Sequence, residues 1–207
     1  MARITGIKIL IIHTIITWST DRFWTFIITY TTSHLFKKNN IACSRDKALY
    51  YFSYKVTNYD YIWLIEEDVF IPSIETIFNI DHKYIDNSYD LLVSKHDIYN
   101  IKQHNWLWSY VYNQTNIGVP YACAMICAIR CSKELLMCIS KYAKENKSLF
   151  LDEALFNTIA EHNKLNVKII TELSSIVWKK NWEKSEINVD NLYHPIKDIN
   201  LQYSYRK

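Results

Sequence analysis

Apolar residues fall along this chain in short unbroken runs that alternate with stretches of helical spacing. Ile7 to Ile16 is an apolar run broken by Lys8 and His13, and it predicts a buried first strand. Trp24 to Tyr30, rich in Phe, Ile and Thr, predicts a second. Ser44-Arg45-Asp46 then opens a helix through Phe52, with Ser44 as its cap and Asp46 beside its positive end. Tyr61 to Ile65 is a continuous apolar run, the pattern of a central parallel strand covered on both faces. It stops abruptly at Glu66-Glu67-Asp68.

Beyond the acids, Pro72-Ser73 starts a helix expected from Ser73 to about Ile80, and Tyr89 to Ser94 reads as a strand. Lys95 to about Tyr121 is irregular and aromatic, holding Trp106, Trp108, Tyr110 and Tyr112. Ala122 to Ile129 is expected as one strand, followed by a helix from Ser132 to about Glu145. Asp152 is placed as the cap of a helix with an apolar face at Leu155, Phe156, Ile159 and Ala160. Val167 to Thr171 is the last expected strand, and the tail from Val177 reads as loop. Alternating strands and helices predict an α/β fold with a mostly parallel sheet. No repeat or linker divides the chain, so residues 1–207 are expected to form a single domain.

Composition narrows the chemistry. Only 2 glycines occur, Gly6 and Gly118, so neither a phosphate-cradling loop nor a dinucleotide fingerprint can be written. The net charge of +3, from 24 basic and 21 acidic residues, is too balanced for a nucleic-acid binder. The cysteines Cys43, Cys123, Cys127, Cys131 and Cys138 lack Cys-x-x-Cys spacing and read as small buried thiols of a reducing compartment. The sequons at Asn113 and Asn146 are then idle. The first apolar run is too short for a transmembrane span and is poorly flanked for a signal peptide, so a cytoplasmic location is expected.

The strongest candidate site is Glu66-Glu67-Asp68. Ligands of open α/β sheets bind beyond the carboxyl ends of strands, which is where these acids stand. Three adjacent carboxylates call for a balancing cation, and a divalent metal accepts oxygen ligands and substrate phosphates together. If the strand continues, Glu66 and Asp68 share a side and Glu67 faces away. The competing reading is a solvated acidic turn before Pro72. Asp152-Glu153 is a second acidic pair, readable as an ordinary helix start or as a proton acceptor. Trp106 and Trp108 fit either a sugar platform or aromatic core.

The segment Tyr59-Asp-Tyr-Ile-Trp-Leu-Ile-Glu-Glu-Asp-Val-Phe resembles the acidic signature of GT-A glycosyltransferases, with glutamate for the first aspartate. Small members of such families occur in large DNA viruses. Ser44-Arg-Asp-Lys-Ala-Leu-Tyr-Tyr-Phe is similar to their nucleotide-pocket helix, and Leu192-Tyr-His-Pro-Ile-Lys-Asp198 resembles a C-terminal segment whose histidine completes the metal site. Leu151-Asp-Glu-Ala-Leu-Phe resembles the helix start that carries the base of inverting members. The resemblance covers residues 40 to 198 and implies a metal-dependent transferase moving sugar from a nucleotide-sugar donor to a glycan or other hydroxyl acceptor. It implies Mn²⁺ or Mg²⁺ held by Asp68 with Glu66 and His194. Arg45, Lys47, Glu67 and Lys197 would lie on the nucleotide-sugar side, and Asp152 or Glu153 would be the base. The alternatives are a nucleotidyltransferase and an inactive nucleotide-sugar-binding module.

Overall fold

Side chains along the strand that leads to the acids alternate between two buried faces, and this period of two organises the molecule. The computed structural model describes residues 7–12, for which only the backbone is considered, together with 58–99 and 106–206. The expected strand at Trp24–Tyr30, the helix from Ser44, and the candidates Arg45 and Lys47 lie outside the described residues. Among those described, β1 (Ile7–Ile12), β2 (Tyr61–Glu66), β3 (Leu91–Val93), β6 (Ala128–Ser132) and β7 (Val167–Ile169) form one sheet in the order β1-β2-β6-β3-β7. A small second sheet pairs β4 (Asp97–Ile98) with β5 (Ala122–Cys123).

Five α-helices accompany them: α1 (Ile74–Tyr84), α2 (Trp108–Gln114), α3 (Lys133–Asn146), α4 (Asp152–His162) and α5 (Ile199–Tyr205). Ile62 and Leu64 of β2 pack with Leu135, Ile139, Leu155 and Phe156 of α3 and α4. Trp63 and Ile65 face the opposite way, against Ile77 and Ile80 of α1. Both faces of β2 are therefore covered, as its unbroken apolar run predicts. A third, smaller cluster joins Phe70 to Tyr193 and Ile196, and it fixes the tail beside the acidic turn.

The sheet corrects the expectation of mostly parallel pairing. β1 runs parallel to β2 and β3 parallel to β7, but β6 is antiparallel to both β2 and β3. The cause lies in the stretch expected as one strand from Ala122 to Ile129, which breaks between Cys123 and Ala128. Within that break the Ala124 amide donates to the Glu153 carbonyl at 3.0 Å, outside the sheet ladder. The chain then enters the sheet from the edge at which β2 and β3 end, so β6 must run against them.

Two helices start where the sequence predicts, and each start is capped. The Ser73 hydroxyl accepts from the Glu75 amide, and Thr76 completes a capping box, although α1 runs on to Tyr84. Ser132 caps α3 through the Leu135 amide. Asp152 is not a cap: Leu151 holds that position, and Asp152 is the first residue of α4. The tail is not all loop, since α5 is anchored by Gln202, whose side-chain amide donates to the Ile196 carbonyl at 2.8 Å. In the aromatic stretch, Trp108 is buried against Tyr99 and Trp106, so core packing, not a sugar platform, accounts for that ring.

Candidate functional site

β2 carries Glu66 to the edge of the sheet, and its final rung is the Glu66 amide donating to the Cys127 carbonyl at 2.8 Å. The strand stops there. A turn follows, closed by the Val69 amide donating to the Glu66 carbonyl at 3.1 Å. The Ile196 amide takes the Asp68 carbonyl at 2.8 Å, and the Gln202 side chain takes that of Glu67 at 3.2 Å. Every backbone carbonyl of the acidic triplet is thus tied down, which fixes where the three side chains project.

The tail supplies the histidine. Tyr193 pairs with Phe70 in an antiparallel bridge, and the amide–carbonyl bonds between them measure 2.8 and 3.1 Å. The Tyr193 hydroxyl accepts from the Asn188 amide at 2.6 Å. The next residue, His194, is held through its amide by the Ser175 carbonyl at 3.1 Å and through its carbonyl by the Trp182 indole at 3.1 Å. Its Nδ1 lies 2.8 Å from the Val177 carbonyl. A carbonyl only accepts, so Nδ1 carries the proton, and Nε2 of the neutral ring presents a lone pair.

That lone pair faces the acids. Nε2 is 3.5 Å from Asp68 Oδ1 and 3.9 Å from Glu66 Oε2, with the imidazole side chain 8% exposed and the carboxylates 19% and 30%. Neither separation is that of a well-formed hydrogen bond. Both suit ligands of one cation, because metal–ligand bonds of about 2 Å place neighbouring donor atoms about 3 to 4 Å apart. The donors whose ligand atoms all lie within 4.8 Å of one another are Glu66, Cys127 and His194, a set that fits a divalent metal, and Asp68 flanks it beside the imidazole that a carbonyl orients. Glu66 and Asp68 each approach His194, and they do so through a turn and not through continued strand geometry. Glu67 is exposed. Lys197 is exposed too, one residue beyond the Ile196 amide that holds Asp68.

Cys127, which the sequence reads as a small buried thiol, is brought to the same place. Its thiol sulfur, a carboxylate oxygen of Glu66 and a ring nitrogen of His194 lie within 4.8 Å of one another. No local signal marks it, since Cys127 sits in an apolar run and meets Glu66 only through the antiparallel pairing of β2 and β6.

The second acidic pair stands on the same edge of the sheet. The Asp152 carboxylate accepts from the Glu153 amide at 3.0 Å, in the first turn of α4 where the helix end is positive. The Glu153 carbonyl receives the Ala124 amide, and Ala124 begins the stretch that ends at Cys127. The Ser94 hydroxyl, just past the end of β3, donates to the Met125 carbonyl at 3.3 Å in that same stretch. Burial first, and then the charges of Asp97 and Glu153, push the Cys123 thiol up to about 12. Further along α4, Asn157 donates to His96 Nδ1 at 2.8 Å, which leaves His96 Nε2 as the donor to Glu161 at 3.1 Å.

A cavity of about 260 Å³ is lined by Tyr99, Trp106, Trp108, Ser109, Tyr112 and Tyr121. Trp106 is half-buried there and Tyr112 exposed, so aromatic faces remain open even though Trp108 belongs to the core. Among the described residues no helix is long and apolar enough to cross a membrane. Compared with protein-family models and with curated proteins, the chain matches none.

Proposed function

We propose that the chain is a metal-dependent glycosyltransferase of the GT-A type, moving a sugar from a nucleotide-sugar to an acceptor hydroxyl, with inversion. The observation that carries the reading is the convergence of Glu66, Asp68 and His194 at the end of a buried strand. When bound, the divalent ion supplies positive charge to the diphosphate of the donor and to the departing nucleoside diphosphate.

The protein's own groups divide the remaining work. Glu66, Asp68 and His194 hold the ion, and the Val177 carbonyl keeps the His194 proton on Nδ1, away from it. Arg45 and Lys47, with the exposed Lys197 and Glu67, are the residues assigned to the nucleotide-sugar. A carboxylate oxygen of Asp152 or Glu153 takes the proton of the acceptor hydroxyl as that oxygen attacks the sugar carbon. The aromatic cavity beside β4 and β5 offers ring faces suited to the apolar face of a glycan acceptor.

A panel of nucleotide-sugars, incubated with the protein, a divalent ion and glycan acceptors, tests the proposal. Ion-dependent release of nucleoside diphosphate with matching glycan product is expected, and Asp68→Ala should abolish it. Pyrophosphate release from nucleoside triphosphates would instead identify a nucleotidyltransferase. Ion-dependent donor binding with no turnover would identify a binding module.

A further inference from the structure

We infer that Cys127 is itself a metal ligand, and that the site takes a thiophilic divalent ion of the Zn²⁺ type in place of Mg²⁺. The inference rests on the metal reading above and sharpens its cofactor. Cys127 stands at the entrance of β6, directly across from the last residue of β2, where the Glu66 amide to Cys127 carbonyl bond of 2.8 Å locks the two backbones together. The lock brings the Cys127 sulfur within 4.8 Å of both a Glu66 oxygen and a His194 nitrogen. Tetrahedral zinc with bonds of about 2.0 to 2.3 Å sets neighbouring ligand atoms about 3.3 to 3.8 Å apart, so side-chain rotations that draw the donors in by up to about an ångström close the triad.

The chemistry of the donors then selects the metal. A thiolate and an imidazole favour Zn²⁺, Co²⁺ and related ions, whereas Mg²⁺ takes oxygen ligands and keeps its water. On binding, the Cys127 S–H bond breaks, its proton leaves to solvent, and the sulfur lone pair forms the bond to the ion. Asp68, whose Oδ1 lies 3.5 Å from His194 Nε2, stands beside the triad on the His194 side. His194 is the shared corner, its ring fixed by the Val177 carbonyl.

Cobalt(II) is the probe, titrated into the metal-free full-length chain and into Cys127→Ser, with melting temperature recorded for each. The wild type should show visible ligand-field bands and a near-ultraviolet thiolate-to-cobalt charge-transfer band that saturate together at one equivalent. Cys127→Ser should keep weakened ligand-field bands and lose the charge-transfer band, and its Zn²⁺ affinity should fall by at least about tenfold. Should the serine variant not fold, Cys127→Ala provides the same comparison. Ligand-field bands without charge transfer in the wild type would overturn the role of Cys127 and leave the metal site standing. A charge-transfer band that survives in the variant would also overturn it, since another thiol would then be the ligand. Absence of cobalt binding would overturn this inference and the metal reading together.

Discussion

Two groups of ionisable side chains gather beside β2, one over its face and one at its end, and they are built to opposite ends. On the α1 face of the sheet, Asp81 accepts the Trp63 indole at 3.1 Å and an Arg130 Nη1 donor at 3.2 Å, with Arg130 fully buried and its guanidinium 4.3 Å from the Tyr61 ring centre. At the end of β2, Glu66 and Asp68 instead approach the His194 nitrogen at 3.9 and 3.5 Å while staying partly open to solvent. In the first group each charge answers another, and water is excluded. In the second, two carboxylates gather around one imidazole nitrogen at a partly open strand end. Burial of charge is therefore not what distinguishes the second group; the approach of two carboxylates to one imidazole at a strand end distinguishes it.

The comparison is broken most forcefully in the core. Asp81→Ala leaves the Arg130 charge buried and unanswered and should cost about 3 to 5 kcal/mol in denaturant unfolding, whereas Asp81→Asn combined with Arg130→Met should cost far less. Asp68→Ala at the sheet edge should leave unfolding within about 0.5 kcal/mol of wild type. Equal destabilisation at both places would erase the distinction.

A loss of rate without loss of stability is expected at the start of α4. Asp152→Asn and Glu153→Gln, compared for transfer rate, donor affinity and melting temperature, should yield one variant slowed by roughly a hundredfold or more with donor binding intact. Near wild-type transfer by both would remove the base from this helix. A lowered melting temperature alone would leave Asp152 only its role in the first turn.

Glu172 offers an intermediate case and a smaller effect. Burial alone would raise its carboxyl, but hydrogen bonds from Lys83 at 2.6 Å and Tyr84 at 3.0 Å hold it below the usual carboxylate range. A carboxyl lowered by folding contributes stability that is complete above the ordinary carboxylate range and is lost as pH falls through its folded value. Because Lys83 is largely exposed, Glu172→Gln should cost only about 1 kcal/mol near neutral pH. The difference from wild type should shrink in acid; a constant difference across that range would contradict the assignment.

Local signals in the sequence fared differently from long-range ones. The β2 strand, the helix starts at Ser73 and Ser132, and the helices α3 and α4 rest on patterns of a few neighbouring residues, and the structure has them in place. Glu66, Asp68 and His194 were singled out because their order along the chain resembled a known signature, and the structure sets both carboxylates near the imidazole. The direction of β6 was not readable, because Ala-Met-Ile-Cys-Ala-Ile is equally apolar as buried strand or as buried connection. What splits it is the Ala124 amide bonding the Glu153 carbonyl, a tertiary contact. Cys127 was hidden for the same reason, and α5 because its anchor, Gln202, bonds carbonyls of distant Glu67 and nearby Ile196.

The central claim is that the Glu66–Asp68–His194 cluster holds a cation for a diphosphate, and equilibrium binding of a nucleoside diphosphate tests it most directly. Titrations in Mn²⁺, Mg²⁺ or Zn²⁺ and in excess chelator should show affinity rising at least about tenfold with an ion that the cluster accepts. That gain should vanish in Asp68→Ala and in His194→Ala while both variants stay folded. Tight binding in chelator, unchanged by either substitution, would contradict the account.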